Sequence, residues 1–232
     1  MEPAPLYTDV TVPLSDGAAY WLRATDGIRV RVGVWREGMR GTVLMFPGRT
    51  EYIEKYVHVA AAMRPHGLAT LIVDWRGQGL SDRLLPDRAT GHVGKFQDYQ
   101  QDVVAALAAA NRLGLPEPFF LIAHSMGNEI LLRVLERMRP VVPEGVVISQ
   151  VILAAPDVDR DKFSNIASQI TSFAKGVTLY AASNDRALGY SARFWGGVPR
   201  AGDVPASGPL IVAGVDTIDV TALSTDSLSL NH

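Results

Sequence analysis

The sequence contains no cysteine. This absence excludes disulfides, thiolate nucleophiles and cysteine-ligated metal sites, so any nucleophile must be Ser, Thr, Asp or Lys. The sequence also lacks the run of about 20 apolar residues that spans a bilayer, and residues 1–16 lack the basic start and apolar segment of a signal peptide. We therefore expect a soluble, cytoplasmic protein without an integral membrane segment.

Neither sign of charge dominates the sequence. It has 22 Lys and Arg against 24 Asp and Glu, with the signs interspersed. Such a distribution has no basic stripe, so nucleic acid is not expected as a partner. Repeats and Gly/Ser-rich linkers are absent too, and 232 residues suffice for a buried core. These features predict one domain spanning residues 1–232.

Short apolar segments alternate with helical patterns along the chain. Strands are predicted at residues 28–35, 42–46, 69–75, 119–123, 147–154, 177–182 and 210–212, and helices at 53–64, 96–113, 126–138 and 161–174. This alternation indicates an α/β fold with a mostly parallel sheet and helices on both faces. Segment 18–24 leads into 28–35 through Thr25-Asp26-Gly27, which predicts an antiparallel hairpin at the sheet edge.

A serine lies between a predicted strand and a predicted helix, in the segment Ala123-His124-Ser125-Met126-Gly127. A serine on such a turn is strained and exposed, and small residues two positions before and after it, Ala123 and Gly127, prevent collisions. The helix N-terminus favours the negative charge that develops during nucleophilic attack. We therefore predict that Ser125 is a catalytic nucleophile; the alternative is a serine that only caps the helix.

A second turn, Pro47-Gly48-Arg49-Thr50, follows the predicted strand 42–46. In hydrolases with such a serine turn, this position supplies one backbone N–H for the oxyanion, and the residue after the serine supplies the other. The predicted donors are Arg49 and Met126, while Gly48 permits close backbone approach. The Arg49 side chain is either a solvated charge or a contact for an anionic substrate group.

The segment 74–82 follows another predicted strand and contains two glycines among charged residues. Its glycines permit a tight loop, and we expect its charged residues to pair among themselves as structural support. A phosphate cradle is not expected, because no Lys-Ser/Thr pair accompanies the glycines.

The catalytic base is predicted from chain order. Hydrolases with such a serine turn carry the triad in the order Ser, acid, His. Of the five histidines, only His232 follows both Ser125 and a candidate acid. A terminal histidine is also what a purification tag or a truncation leaves, so this alternative stays open.

The predicted acid is Asp185, which follows the predicted strand 177–182. A carboxylate there would orient the imidazole and stabilise its cation. Asp157 and Asp159 follow an earlier strand and compete for the role. The predicted helix that begins at residue 161 favours helix capping or a surface loop for these two.

Several segments carry a resemblance to known families. Residues up to about 127, with segments 46–56, 74–79 and 123–127, resemble bacterial lysophospholipases related to monoacylglycerol lipases. Segments 151–159, 177–188 and 214–220 resemble an uncharacterised bacterial α/β-hydrolase family of unknown function. Together these resemblances imply an α/β-hydrolase fold, a triad histidine at His232, and neither a metal nor an organic cofactor.

Both resemblances include the segment 123–127, so we hypothesise a recombined or designed chimera joined near Ser125. Lysophospholipases of this kind carry a lid after the strand corresponding to 151–155, whereas here only residues 156–176 precede the next strand. The second family continues past its histidine into a further helix. We therefore expect an essentially absent lid, no inherited lipid specificity and low activity.

The expected reaction is hydrolysis of a small-molecule carboxylic ester through an acyl-enzyme. Short-chain acyl or monoglyceride-like molecules are the expected substrates. The main alternative is a catalytically silent α/β-hydrolase scaffold that keeps the serine only because the turn needs it. A thioesterase or peroxidase-like activity would use the same triad, and the oligomeric state is left open.

Overall fold

The structure is a computed structural model, and it describes residues 1–10, 14–138, 148–172, 174–194 and 196–223. The chain divides into two compact units. The first comprises residues 1–122 with 143–148, and the second comprises residues 123–142 with 149–232. The division falls within the strand Phe119–His124.

The sheet of the first unit combines antiparallel and parallel strands. Its strands are β1 (Glu2–Ala4), β2 (Gly17–Arg23), β3 (Arg29–Trp35), β4 (Thr42–Phe46), β5 (Ala69–Asp74) and β6 (Phe119–His124). They lie in the order β1-β2-β3-β5-β4-β6. The first three pairs in this order are antiparallel, whereas β5 and β4 are parallel.

The predicted antiparallel edge is confirmed. The hairpin pairs β2 with β3, with Arg23 opposite Arg29 at its closed end. Gly27 has a φ of 85°, which a glycine adopts without strain, and the Ala24 N–H donates to the Ile28 carbonyl at 2.9 Å. The edge holds one strand more than predicted, because β1 pairs with β2.

Two helices of the first unit pack around buried strands. They are α1 (Val57–Met63), which follows a 3-10 turn at Ile53–Tyr56, and α2 (Tyr99–Arg112), which follows one at Phe96–Asp98. Every residue of β4 and β5 is buried, as expected for strands covered on both faces. A core cluster joins strands to helix α1 through Trp35, Met45, Ile53, Tyr56, Val57, Ala60 and Ile72.

The second unit continues the alternation of helix and strand. Its elements are α3 (Met126–Met138), β7 (Ile148–Ala154), α4 (Arg160–Ile170), β8 (Ala174–Ala181), α5 (Arg186–Phe194) and β9 (Asp216–Asp219). The strands lie in the order β7-β8-β9, with β8 and β9 parallel. An ion pair between Glu129 and Lys162 joins α3 to α4.

Three predictions for the second unit are wrong. Residues 210–212 form no strand: the Thr217 hydroxyl donates to the Leu210 carbonyl at 2.8 Å, the chain turns there, and the strand is β9. Helix α4 ends at Ile170, earlier than predicted, and β8 begins at Ala174. Helix α5 was not predicted, because Gly189 lowers its helix propensity.

Candidate active site

Ser125 is the residue between β6, which ends at His124, and α3, which begins at Met126. Its φ of 49° lies in the left-handed region, which is strained for any residue with a side chain. Backbone bonds hold it there. The Ser125 N–H donates to the Ala154 carbonyl at 3.1 Å, and the Ser125 carbonyl accepts from the Asp157 N–H at 3.4 Å. The strained strand–turn–helix geometry is thus present at Ser125.

Asn128 is a residue of this turn that the sequence did not indicate to us. It is fully buried, and its Nδ2 donates to the carbonyl oxygens of Ser125 and Ala154, both at 2.9 Å. It therefore ties the turn to the end of β7. An amide side chain in the first turn of the helix after the serine was the available signal, because Asn side chains bond nearby backbone groups.

The neighbours of Ser125 have the sizes that the turn requires. Ala123 and Gly127 are buried, whereas Ser125 and Met126 are half-buried. Ser125 directly precedes a helix of 13 residues, whose first N–H groups have no intrahelical partner. Such a helix end can stabilise negative charge that develops beside the Ser125 hydroxyl.

The turn after β4, in the first unit, contains the other predicted oxyanion residues. Gly48 is buried, and its N–H donates to Oε2 of Glu51 at 2.6 Å. Arg49 is exposed, which agrees with a solvated guanidinium. Thr50 has a φ of 63° and is therefore strained.

Two side chains from the segment 74–82 also hold this turn. Trp75 Nε1 donates to the Pro47 carbonyl at 2.8 Å, and the Thr50 N–H donates to Oε1 of Gln78. Both side chains are buried. The segment is therefore structural support, as predicted.

The prediction that the charged residues of this segment pair among themselves is wrong. They pair with distant residues instead: Asp74 with Arg31, Arg76 with Asp26 and Asp102, and Asp82 with Arg29. Burial raises the pKa of Asp74 and that of Asp102 to about 6 each. Buried charges need such partners, because unpaired they would lose their hydration without compensation.

Arg31 connects several segments of the first unit. It is 1% exposed and donates to Asp74 Oδ2 at 2.8 Å and to both carboxylate oxygens of Glu54. Oδ1 of Asp74 accepts from the Ile53 N–H at 2.8 Å. The Arg31 network thus joins β3 and β5 to the chain directly after the turn at Gly48 and Arg49.

Asp185, the predicted acid, lies after β8 and directly before α5. Its carboxylate is half-buried, and Oδ1 accepts from the Leu188 N–H at 3.0 Å. Asp185 therefore caps α5 in addition to lying near the carboxyl end of a strand. A carboxylate has a second oxygen, so this cap leaves acceptor capacity for an imidazole.

The two competing aspartates have other partners. Asp159 caps α4, since its Oδ1 accepts from the Lys162 N–H at 2.9 Å, as the capping interpretation expected. Asp157 accepts from Arg200 Nε at 2.8 Å and from the Ser191 hydroxyl at 2.7 Å. Its carboxylate is thus engaged in an ion pair.

His232, the predicted base, lies outside the described residues, so the triad has no described histidine. His124 is buried at the end of β6. Within the described ranges, no group of three or more His, Asp and Glu side chains could hold a metal ion. None of the helices in those ranges combines the length and apolar character that crossing a membrane requires.

Part of the chain is similar in sequence to bacterial lipid hydrolases. Lysophospholipase L2 of Escherichia coli (strain K12) is 32% identical over 141 residues, covering 59% of this chain and 41% of that protein. Phospholipase YtpA of Bacillus subtilis (strain 168) is 28% identical over 141 residues, covering 61% and 49%. The chain thus spans less than half the length of these relatives. The expected lysophospholipase resemblance is confirmed, while the chimera stays a hypothesis.

Similarity to solved structures establishes the fold. An esterase of Pyrococcus furiosus matches with a TM-score of 0.60 at 15% identity, over 94% of this chain and 91% of that one. Est1E of Butyrivibrio proteoclasticus, solved with ferulic acid bound, matches with a TM-score of 0.56 at 12% identity, over 86% and 88%. The predicted α/β-hydrolase fold is therefore confirmed, and identities this low establish nothing about the substrate.

A sequence family covers the middle of the chain and includes both turns described above. Residues 37–186 match the family described as "Serine aminopeptidase, S33". The matched range contains Arg49, Ser125 and Asp185, and His232 lies beyond it. Because the match covers more than half of the 232 residues, the chain belongs to this family of serine hydrolases and has the α/β-hydrolase fold.

Proposed function

We propose that the protein hydrolyses carboxylic esters with Ser125 as its nucleophile. The observation that carries the proposal is the strained φ of 49° at a serine that directly precedes α3. Turns of this kind expose the hydroxyl at the end of a strand, and the strain persists only where surrounding bonds enforce it. The lysophospholipase and phospholipase relatives favour an ester over an amide as the substrate.

In the proposed reaction, His232 takes the proton of the Ser125 hydroxyl as the oxygen attacks the ester carbonyl. Asp185 holds the imidazole in the required tautomer and stabilises its cation. The N–H groups of Arg49 and Met126 stabilise the negative charge on the carbonyl oxygen. The histidine returns the proton to the departing alcohol, which leaves an acyl-enzyme. Water deprotonated by the same histidine then releases the carboxylic acid and restores Ser125.

The ion pair with Arg200 favours Asp185 over Asp157 as the acid. Arg200 balances the charge of Asp157 and, like the Ser191 hydroxyl, donates to its Oδ1. Asp185 uses Oδ1 to cap α5 and is half-buried beyond the end of β8. An acid near the end of this strand also fits the chain order Ser, acid, His.

The proposed substrates are small, accessible esters, either short-chain acyl esters or monoglyceride- and lysophospholipid-like molecules. The described part of segment 155–173, between β7 and β8, contains α4 and no long insertion that could act as a lid. A lid supplies much of an acyl-chain pocket, so its loss favours short acyl chains. The single domain spanning residues 1–232 and the cytoplasmic location stay predictions.

Hydrolysis of p-nitrophenyl acetate and butyrate tests the proposal. We expect Ser125→Ala and His232→Ala to lose the burst and turnover of the parent, and Asp185→Asn to lose most of the turnover. Ser168→Ala is the matched serine control and should equal the parent, because Ser168 is exposed on α4 and its hydroxyl donates to the Asn165 carbonyl. Turnover by Ser125→Ala at the parent rate would refute the assignment. An inert parent would support the silent scaffold instead.

A further inference from the structure

We propose that Glu51 and Gln78 are positioning residues that fix the orientation of the Arg49 amide, the predicted oxyanion donor, by holding the amides on either side of it. This inference rests on the proposed function, because it concerns the oxyanion donor of the same reaction. Glu51 and Gln78 would stabilise the transition state indirectly, through the Arg49 amide, without contacting the substrate.

Glu51 holds the amide that precedes Arg49. Its side chain is 2% exposed, and Oε2 accepts from the Gly48 N–H at 2.6 Å. The same oxygen accepts from the Tyr56 hydroxyl, and Oε1 accepts from Lys55 Nζ at 2.8 Å. A bond from an amide to a buried, ionised carboxylate is short and strong. The Gly48 peptide plane is therefore fixed.

The partners of Glu51 keep its carboxylate in place as an acceptor. Burial and the nearby Glu51 charge raise the pKa of Tyr56 above its ordinary value, so this hydroxyl stays neutral and donates. Lys55 balances the negative charge of the carboxylate. This balance matters because an uncompensated negative charge beside the Arg49 amide would weaken that amide as a donor to an oxyanion.

Gln78 holds the amide that follows Arg49. Its side chain is 4% exposed, and Oε1 accepts from the Thr50 N–H. Its Nε2 donates to the Tyr99 hydroxyl at 3.4 Å, which orients the side-chain amide so that the oxygen faces Thr50. The φ of 63° at Thr50 lies in the left-handed region, so this bond helps to hold a strained residue.

The Arg49 amide lies between these two fixed peptide groups. With the amides of Gly48 and Thr50 engaged by Glu51 and Gln78, the remaining amide of the turn has few orientations left to it. Among the described residues, no acceptor is found for the Arg49 N–H. A donor fixed before the reaction needs no reorganisation when negative charge develops, which is what makes an oxyanion hole effective.

The test compares substitutions that release one flanking amide with a matched buried glutamate. Glu51→Ala and Gln78→Ala each remove an acceptor, whereas Glu51→Gln keeps an oxygen for the Gly48 N–H. Glu54→Ala is the matched control, because Glu54 is 3% exposed and pairs with Arg31 rather than with an amide of the turn. The concentration of reactive serine in every variant is measured by end-point titration with a fluorophosphonate.

For p-nitrophenyl butyrate, we expect kcat per reactive serine to fall about 10- to 100-fold in the two alanine variants while KM changes less than about threefold. The inhibition constant of a trifluoromethyl ketone, which forms a tetrahedral adduct, should rise by the same factor. Glu51→Gln should recover most of the loss. Glu54→Ala should lower the unfolding midpoint but leave kcat per reactive serine within about twofold of the parent.

Two results would overturn the inference while the proposed function stands: parent-like kcat per reactive serine in both alanine variants, or an equal loss in Glu54→Ala. An inert parent would instead overturn the proposed function. In that case, hydrogen exchange still tests whether Glu51 and Gln78 hold the Gly48 and Thr50 amides. The Gly48 and Thr50 amides should exchange slowly in the parent, and each should exchange faster when its own acceptor is removed. Fast exchange of both in the parent would refute the two bonds.

Discussion

Two turns of the molecule each contain a strained residue, and different kinds of bonds hold them. Thr50, with a φ of 63°, lies in the turn after β4, and Ser125, with a φ of 49°, lies before α3. Around Thr50 the acceptors are the buried side chains of Glu51 and Gln78. Around Ser125 most bonds join backbone groups, and Asn128 is the side chain that contributes.

This difference predicts which substitutions should disturb each turn. The turn after β4 depends on the identity of buried side chains: Glu51 beside the turn, and Trp75 and Gln78 in the segment 74–82. The turn at Ser125 depends mainly on the path of the backbone at the end of β7, which many side chains allow. Substitutions far along the chain from Arg49 should therefore disturb its turn, whereas few such substitutions should disturb the turn at Ser125.

The largest effect on stability is expected at Gly79, in the segment 74–82 that supports the turn after β4. A Cβ at Gly79, whose φ is 50°, would lie 2.1 Å from Oδ2 of Asp74. Gly79→Ala therefore strains the backbone and displaces a buried carboxylate, and we expect the free energy of unfolding to fall by about 3 kcal/mol or more. Urea denaturation measures this loss.

Gly27→Ala is the control for the strain alone, since Gly27 has a φ of 85° and nothing lies within 4 Å of its added Cβ. We expect this variant to lose about 1 kcal/mol. Equal losses in the two variants would contradict the role given to the packed Asp74 carboxylate.

Asn128→Ala tests the turn at Ser125. The substitution removes the side-chain donor of two carbonyl oxygens, so we expect a loss of about 2 kcal/mol in the free energy of unfolding. The control is Asn184→Ala, because that exposed side chain makes one long bond of 3.5 Å. It should change stability by no more than about 0.5 kcal/mol. A loss in Asn128→Ala as small as in the control would mean that backbone bonds alone hold Ser125.

Trp75→Phe tests the turn after β4 with a smaller change. The substitution keeps an aromatic ring but removes the Nε1 donor of the Pro47 carbonyl, a bond of 2.8 Å. We expect a loss of about 1–2 kcal/mol in the free energy of unfolding, measured by urea denaturation. A neutral result would show that the turn does not need this bond.

The smallest expected effect is a pH dependence of the free energy of unfolding, caused by a buried carboxylate of the first unit. Burial raises the pKa of Asp102 to about 6, above its unfolded value near 3.8. The folded protein then binds this proton more readily than the unfolded chain, so this group adds stability as the pH falls through about 6 and removes stability as the pH rises.

Relative to Asp102→Asn, the parent should therefore gain stability on acidification between about pH 7 and pH 5, by at most about 1.4 kcal/mol per pH unit. Asp26 still pairs with Arg76 in this variant. Unfolding in urea at each pH gives the difference. A parent that loses stability relative to the variant on acidification would contradict the raised pKa.

Local patterns were enough to predict most of the elements and the turn at Ser125. The strand before the serine, the small residues Ala123 and Gly127 and the helix after them lie within a few positions of one another. Apolar periodicity likewise predicted β4 with both of its bounds and α3 with both of its bounds. Such features follow from short-range sterics and burial, which a sequence window contains.

Long-range pairing was not predictable in the same way. Gln78 meets Thr50 across 28 positions, and Arg31 meets Asp74 across 43. The charged residues of segment 74–82 therefore looked able to pair locally, although strand register gives them distant partners. Helix α5 was missed because Gly189 lowers its helix propensity and because its cap, Asp185, was interpreted only as an acid. The role of His232 stays a prediction, since it lies outside the described residues.

The most direct test of Ser125 as the nucleophile is covalent labelling followed by mapping of the modified peptide. A fluorophosphonate reacts only with an activated serine, so we expect one label per chain, on Ser125, and none on Ser125→Ala. A label on a different serine, or equal labelling of the parent and Ser125→Ala, would contradict it.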